Sequence, residues 1–106
     1  MPAETRTVAY VRVFGAEDMR ALARGLVPEA MEDKWLGVLK EATIDFYRSW
    51  SGAHIFSLPF VASGQGARVE HIVVNDDPAQ YRSPGDVHDK DMVETLLSMM
   101  LKQAPG

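Results

Sequence analysis

Between Lys34 and Val74 four apolar, strand-like runs follow one another almost without a break: Lys34 to Leu39, Thr43 to Ser49, Ala53 to Val61 and Arg68 to Val74. Their connections are short and rich in turn-forming residues. Strands joined so closely pair with their neighbours in antiparallel fashion, because a parallel return needs a crossover of about a dozen residues or more. A four-stranded meander therefore fills the middle of the chain and limits what the two flanks can add.

Upstream, Thr7 to Phe14 (TVAYVRVF) is rich in Val and aromatics, carries only Arg12 as a charge, and reads as a further strand ended by Gly15. From Glu17, apolar residues at Met19, Leu22, Ala23 and Leu26 share one helical face, with Glu17 and Asp18 at the positive end of the helix dipole. Gly25 is a left-handed stop, Pro28 opposes continuation, and a short turn is expected over Glu29 to Met31. Downstream of Asn75-Asp76-Asp77-Pro78, a polar stretch with Ser83-Pro84-Gly85 reads as an exposed loop with few apolar anchors. Val93, Leu96, Leu97, Met100 and Leu101 then form the stripe of a last helix, with Asp86, Asp89 and Asp91 near its start and Lys102 near its end. These elements predict one α+β domain over residues 1–106, an antiparallel sheet of about five strands with an N-terminal and a C-terminal helix packed on it. The N-terminal strand is expected at an edge, beside one end of the meander.

The formal net charge of −4 and the scatter of the basic residues argue against binding of duplex nucleic acid, which needs Lys and Arg massed on one face. No apolar run approaches the roughly 20 residues of a membrane-spanning helix, and Met-Pro-Ala-Glu-Thr-Arg lacks the apolar core of a secretory signal. The cytoplasm is the expected compartment. With no cysteine, disulfides, Cys-based zinc sites and thiol nucleophiles are excluded together. The three histidines, His54, His71 and His88, show no one-turn spacing of the kind helical zinc sites use, so neither a metal nor a cofactor is expected.

The register of the central hairpins follows from pattern, since a slip of one residue turns every side chain to the other face. A two-residue loop at Glu41-Ala42 sets Trp35 opposite Arg48, Gly37 opposite Phe46 and Leu39 opposite Ile44. A three-residue loop Trp50-Ser51-Gly52, with Gly52 left-handed, sets Arg48 opposite His54 and Phe46 opposite Phe56. Both place Trp35, Gly37, Leu39, Ile44, Phe46, Arg48, His54, Phe56 and Leu58 on one face. A guanidinium on so apolar a face needs partners, because burying it alone is costly.

Two explanations follow. Arg48, with Trp35, Trp50 and His54, lines a site for an anionic or planar, nucleotide-like ligand, the Arg supplying forked donors and the indoles a stacking surface. Alternatively Arg48 is a structural residue at the edge of the core, stacked on Trp35 and paired with Glu32 or Asp33. The first makes the chain a non-catalytic binding or accessory module for a small ligand or a protein partner. The second makes it a structural or interaction domain acting as a homo-oligomer, with Met92 and Met99 available to widen a partner surface on the last helix.

A small enzyme using His54 or His71 as acid or base is a third reading, with no nucleophile or metal in the sequence to accompany either and no catalytic residue assigned. His71 alternates with Val69 and Val73 as a sheet-face histidine would. His88 lies among helix-opening aspartates that capping and the helix dipole explain. Ser63-Gly64-Gln65-Gly66 lacks the Gly-Lys-Ser/Thr of a phosphate loop and reads as a hairpin turn. Ser49, Ser51 and His54 carry no Gly-x-Ser-x-Gly elbow.

The run Met31-Glu32-Asp33-Lys34-Trp35, then Phe46-Tyr47-Arg48-Ser49-Trp50-Ser51-Gly52 and Ile55-Phe56, resembles a small uncharacterised bacterial domain with a Glu-Asp-Lys/Arg-Trp segment and an aromatic strand ending in Arg-Ser-Trp-Thr-Gly. Ser51 stands where that pattern usually has Thr. Asn75-Asp76-Asp77-Pro78-Ala79-Gln80-Tyr81 and the acidic start of the last helix are also similar, so the likeness spans roughly residues 30 to 103. Such segments occur alone or beside ADP-ribosylglycohydrolase-type domains. The resemblance thus implies a link to ADP-ribose or NAD chemistry and supplies no catalytic residue.

Overall fold

The fold comes from a computed structural model that describes residues 2–27 and 34–102. Its elements run β1 (Thr5–Phe14), α1 (Ala16–Ala23), β2 (Trp35–Lys40), β3 (Thr43–Arg48), β4 (His54–Ser63), β5 (Gly66–Asn75) and α2 (Asp86–Leu101). The five strands form one antiparallel sheet in the order β1-β5-β4-β3-β2. The meander is therefore intact, and β1 takes the edge next to β5. The turn expected over Glu29 to Met31 and the proposed pairing of Arg48 with Glu32 or Asp33 lie outside the described residues. No helix among the described residues is long and apolar enough to cross a membrane.

Both helices cover the same face. Val8 and Phe14 of β1, Phe46 of β3, Phe56 and Leu58 of β4 and Ile72 of β5 join Leu22 of α1 and Val93, Leu96, Leu97 and Met100 of α2 in one buried cluster. The start of α1 is fixed by Asp18, whose carboxylate accepts from the Gly15 N–H at 3.1 Å. After α1 the chain turns at Gly25 (φ +74°), and Leu26 exchanges two backbone hydrogen bonds of 2.8 Å with Gly37 of β2. Gly37 is small for a reason: a Cβ there would lie 2.8 Å from the Phe46 ring, which covers it from the paired position on β3.

The β2–β3 register is the one the two-residue loop predicts, with Trp35 opposite Arg48, Gly37 opposite Phe46 and Leu39 opposite Ile44. Glu41 and Ala42 both adopt positive φ (51° and 62°), the conformation a two-residue turn needs to match strand twist. Ser63 pairs with Gly66 across a hairpin turn.

The β3–β4 hairpin differs from expectation. Arg48 N–H donates to the Ala53 carbonyl at 2.9 Å and Gly52 N–H to the Arg48 carbonyl at 2.8 Å, so the loop has four residues, Ser49 to Gly52, with Gly52 left-handed (φ 72°). Tyr47 rather than Arg48 then pairs with His54, and an irregularity between Phe46 and Tyr47 restores Phe46 opposite Phe56. The extra residue is absorbed as a bulge, which leaves both Ile55 and Phe56 buried and turns His54 to the uncovered face of the sheet. His71 shifts in the same way: register irregularities on both sides of β5 put Val69 in the core, while His71 is half-buried on the open face with Val73.

Candidate functional site

Arg48 closes β3 at the end of the sheet, where its side chain meets aromatic rings from three segments. Its guanidinium carbon lies 4.4 Å from the Trp35 ring centroid, 5.0 Å from that of Trp50 and 5.8 Å from that of Tyr81. Trp35 is held by stacking on buried Phe56 (5.6 Å between centroids), and the Tyr81 ring meets the edge of Phe56 at 5.8 Å. The cation is thus braced from the core side by rings that are themselves packed. Among the described residues no carboxylate forms an ion pair with it.

The segment joining β5 to α2 supplies the opposite wall. Buried Asn75 uses its whole amide: Nδ2 donates to the His54 carbonyl and to Gln80 Oε1, both at 2.8 Å, and Oδ1 accepts from Asp77 N–H at 2.9 Å. Asp77 continues the turn by accepting from Ala79 N–H. Tyr81 is buried, and its hydroxyl donates to Asp89 of α2 at 2.5 Å. Asp89, also fully buried, further accepts from Ser83 Oγ at 2.5 Å and from Arg6 Nη2 at 2.7 Å. Arg6 pairs in addition with Asp86 and, at 3.7 Å, with Asp76. The segment read as a loosely anchored loop is tied down at both ends, and Asp89 serves as its anchor rather than as a cap.

Between hairpin and segment lies an open depression of about 1000 Å³, lined among others by Tyr47, Arg48, Trp50, His54, Tyr81 and Arg82. Of the four residues read from the sequence, Arg48, Trp50 and His54 line it. Trp35 stands behind Arg48 as its support. Trp50 is 65% exposed although it touches the guanidinium, so its indole is presented to solvent beside a cation. Tyr81 and Arg82 were missed by the sequence reading. The signal for Tyr81 was an aromatic in a polar stretch, followed eight residues later by an acid.

His54 belongs to a different group from the one predicted. On the open face its ring stacks on Tyr47 (4.6 Å), and Nε2 lies 3.0 Å from Asp45 Oδ1 and 3.1 Å from the Phe56 carbonyl. Burial lowers its pKa, and Asp45 opposes that shift. Ser57 donates to the same Asp45 oxygen at 2.9 Å, so hydroxyl and imidazole share a carboxylate instead of contacting each other. Ser51 Oγ accepts from Ala53 N–H within the loop. A nucleophile and base pair needs the hydroxyl on the imidazole, and this arrangement lacks it. His88 is exposed, and no cluster of three or more metal-ligating side chains occurs among the described residues. On α2, Met92 packs partly buried against the core and Met99 is exposed.

Comparison with protein-family models, with curated proteins and with solved structures finds no match.

Proposed function

We propose that this chain is a non-catalytic binding module whose depression over Arg48 and Trp50 takes a small anionic ligand with a planar ring, of the nucleotide class. The observation that carries this reading is a guanidinium within 5.0 Å of two indole ring centroids at the wall of an open depression, with one indole facing solvent. Stacking occupies the faces of a guanidinium and leaves its N–H donors in the plane, where they suit a phosphate or carboxylate. Arg82 on the facing wall adds a second cation, and Trp50 offers a surface for a base. The resemblance noted for residues 30 to 103 adds ADP-ribose and NAD to the ligands of this class.

Both tryptophans of the chain touch Arg48, so intrinsic fluorescence reports on the site directly. Titration with AMP, NAD, ADP-ribose and inorganic phosphate should give a saturable change with at least one nucleotide. Arg48→Lys, which keeps the charge and removes the fork, should weaken that binding by at least about tenfold while the far-UV spectrum is retained. No response to any of them at millimolar concentration would refute the proposal, as would an Arg48→Ala chain that binds as well as the parent.

A further inference from the structure

The two arginines that line the depression carry charges the chain does not neutralise. Arg6, Arg12 and Arg68 each pair with a carboxylate, whereas Arg48 and Arg82 form no ion pair among the described residues. They stand on facing walls, Arg48 at the end of β3 and Arg82 on the segment before α2. The Arg48 guanidinium carbon lies 5.8 Å from the Tyr81 ring, and Arg82 is the next residue, so one bound group can reach both. No carboxylate joins them among the described lining residues, although the chain has a net charge of −4. Acids close by are engaged by internal donors: Asp45 by His54 and Ser57, Asp77 by the Ala79 N–H, and Asp89 by Tyr81, Ser83 and Arg6. The depression is a positive concavity in an acidic chain, and such a shape concentrates anions.

Resting on the reading of this site as a nucleotide pocket, we infer that it takes a nucleoside diphosphate and recognises the two phosphates and the face of the ring, not the identity of the base. Two unpaired guanidiniums on facing walls call for two anionic groups. The phosphate nearer the base belongs on Arg48, beside Trp50, and the terminal one on Arg82. A monophosphate meets the first and leaves the second unmatched. Telling one base from another takes paired contacts to a base edge: an amide for adenine, a guanidinium for guanine, a carboxylate for cytosine. The described lining offers no carboxylate, and Oε1 of its one side-chain amide, Gln80, is already taken by Asn75. Both guanidiniums are held by phosphate. The other polar groups are single and engaged within the chain: Ser51 Oγ accepts from the Ala53 N–H, His54 Nε2 faces Asp45, and the Tyr81 hydroxyl donates to Asp89. What is left for the base is the exposed Trp50 ring, and stacking there tolerates any base because each has a π-face.

Calorimetric titration of the full chain tests this. ADP, GDP, UDP and CDP should bind within about tenfold of one another, and each at least about tenfold more tightly than its monophosphate. Pyrophosphate, which has the charges and no ring, should bind at least about fivefold more weakly than ADP. The Arg82 side chain is exposed and unpaired, so Arg82→Gln should fold as the parent does. That variant should bind ADP no better than AMP while its affinity for AMP stays at the parent's value. ADP no tighter than AMP in the parent, one base preferred by well over about tenfold, an Arg82→Gln chain that still prefers ADP, or pyrophosphate as tight as ADP each overturns the inference, and in each case nucleotide binding itself upholds the reading of the site. Silence from every nucleotide overturns both.

Discussion

Asp89→Ala is the substitution with the most to lose. Asp89 is fully buried and accepts three hydrogen bonds, from Arg6 at 2.7 Å and from Tyr81 and Ser83 at 2.5 Å each. Hydrogen bonds to a charged group contribute about 1.5–3 kcal/mol each, but they are not additive here. Removing one partner of a buried ion pair costs about 3–5 kcal/mol. Arg6 retains Asp86 and, at a longer distance, Asp76, and its side chain is 27% exposed, so its charge is not stranded. A cost near the lower end, about 3 kcal/mol, follows. With a urea m-value near 2 kcal/mol/M, the midpoint should fall by about 1.5 M at unchanged m. Tyr81→Phe removes one of the bonds and should cost about 1.5 kcal/mol. In the Asp89→Ala background the same change should cost almost nothing, because its acceptor is gone. Urea denaturation followed by far-UV circular dichroism measures all four chains. A loss below about 1 kcal/mol for Asp89→Ala, or full additivity of the two substitutions, would refute the account of Asp89 as the anchor of the segment before α2.

The β2–β3 turn holds two L-residues at positive φ, a conformation that costs each about 1–2 kcal/mol. Glu41→Asn with Ala42→Gly should stabilise the chain by about 1 kcal/mol and raise Tm by about 4–8 °C; a melt with no gain contradicts the turn conformation. The three tyrosines all have raised pKa values. Tyr10 is pushed up to about 12 by burial and the Glu94 hydrogen bond, Tyr81 rises by burial and Asp89, and Tyr47 by burial and Asp45. The unfolded chain then loses these protons first, so their stabilisation is complete below about pH 10 and declines above it. Near-UV tyrosinate absorbance should rise together with unfolding, and a tyrosine titrating reversibly near pH 10 in the folded chain would contradict the burial.

How far the sequence carried depended on where each partner lies. Trp35 opposite Arg48 and Gly37 opposite Phe46 were legible because one short turn joins their strands. His54 was not, since Gly52 fits a left-handed position in a loop of three residues or of four, and only the later bulge reconciles four with Phe46 opposite Phe56. Arg48 against Trp35 followed from register alone, whereas Tyr81 reaches the same cation from beyond β5 through an anchor on α2. Asp89 was read as a local helix-start residue because its partner Arg6 is more than eighty positions away. Arg6, Tyr10 and Arg12, on the same face of β1 as the core residues Val8 and Phe14, were the available clue that this face also meets acids from a distant element.

The position of β1 has a kinetic consequence. The strands of the meander are sequence neighbours and can pair as soon as each is available, but β1 docks on β5 and under α2, elements some sixty to eighty residues later in the chain. Closing so long a loop is entropically slow and places the chain among the folders governed by distant contacts. During synthesis the first strand emerges before either of its partners exists. Its three valines and its row of unpaired amides must wait for the last helix to leave the ribosome, and that interval is when the chain is most open to association with the wrong strand.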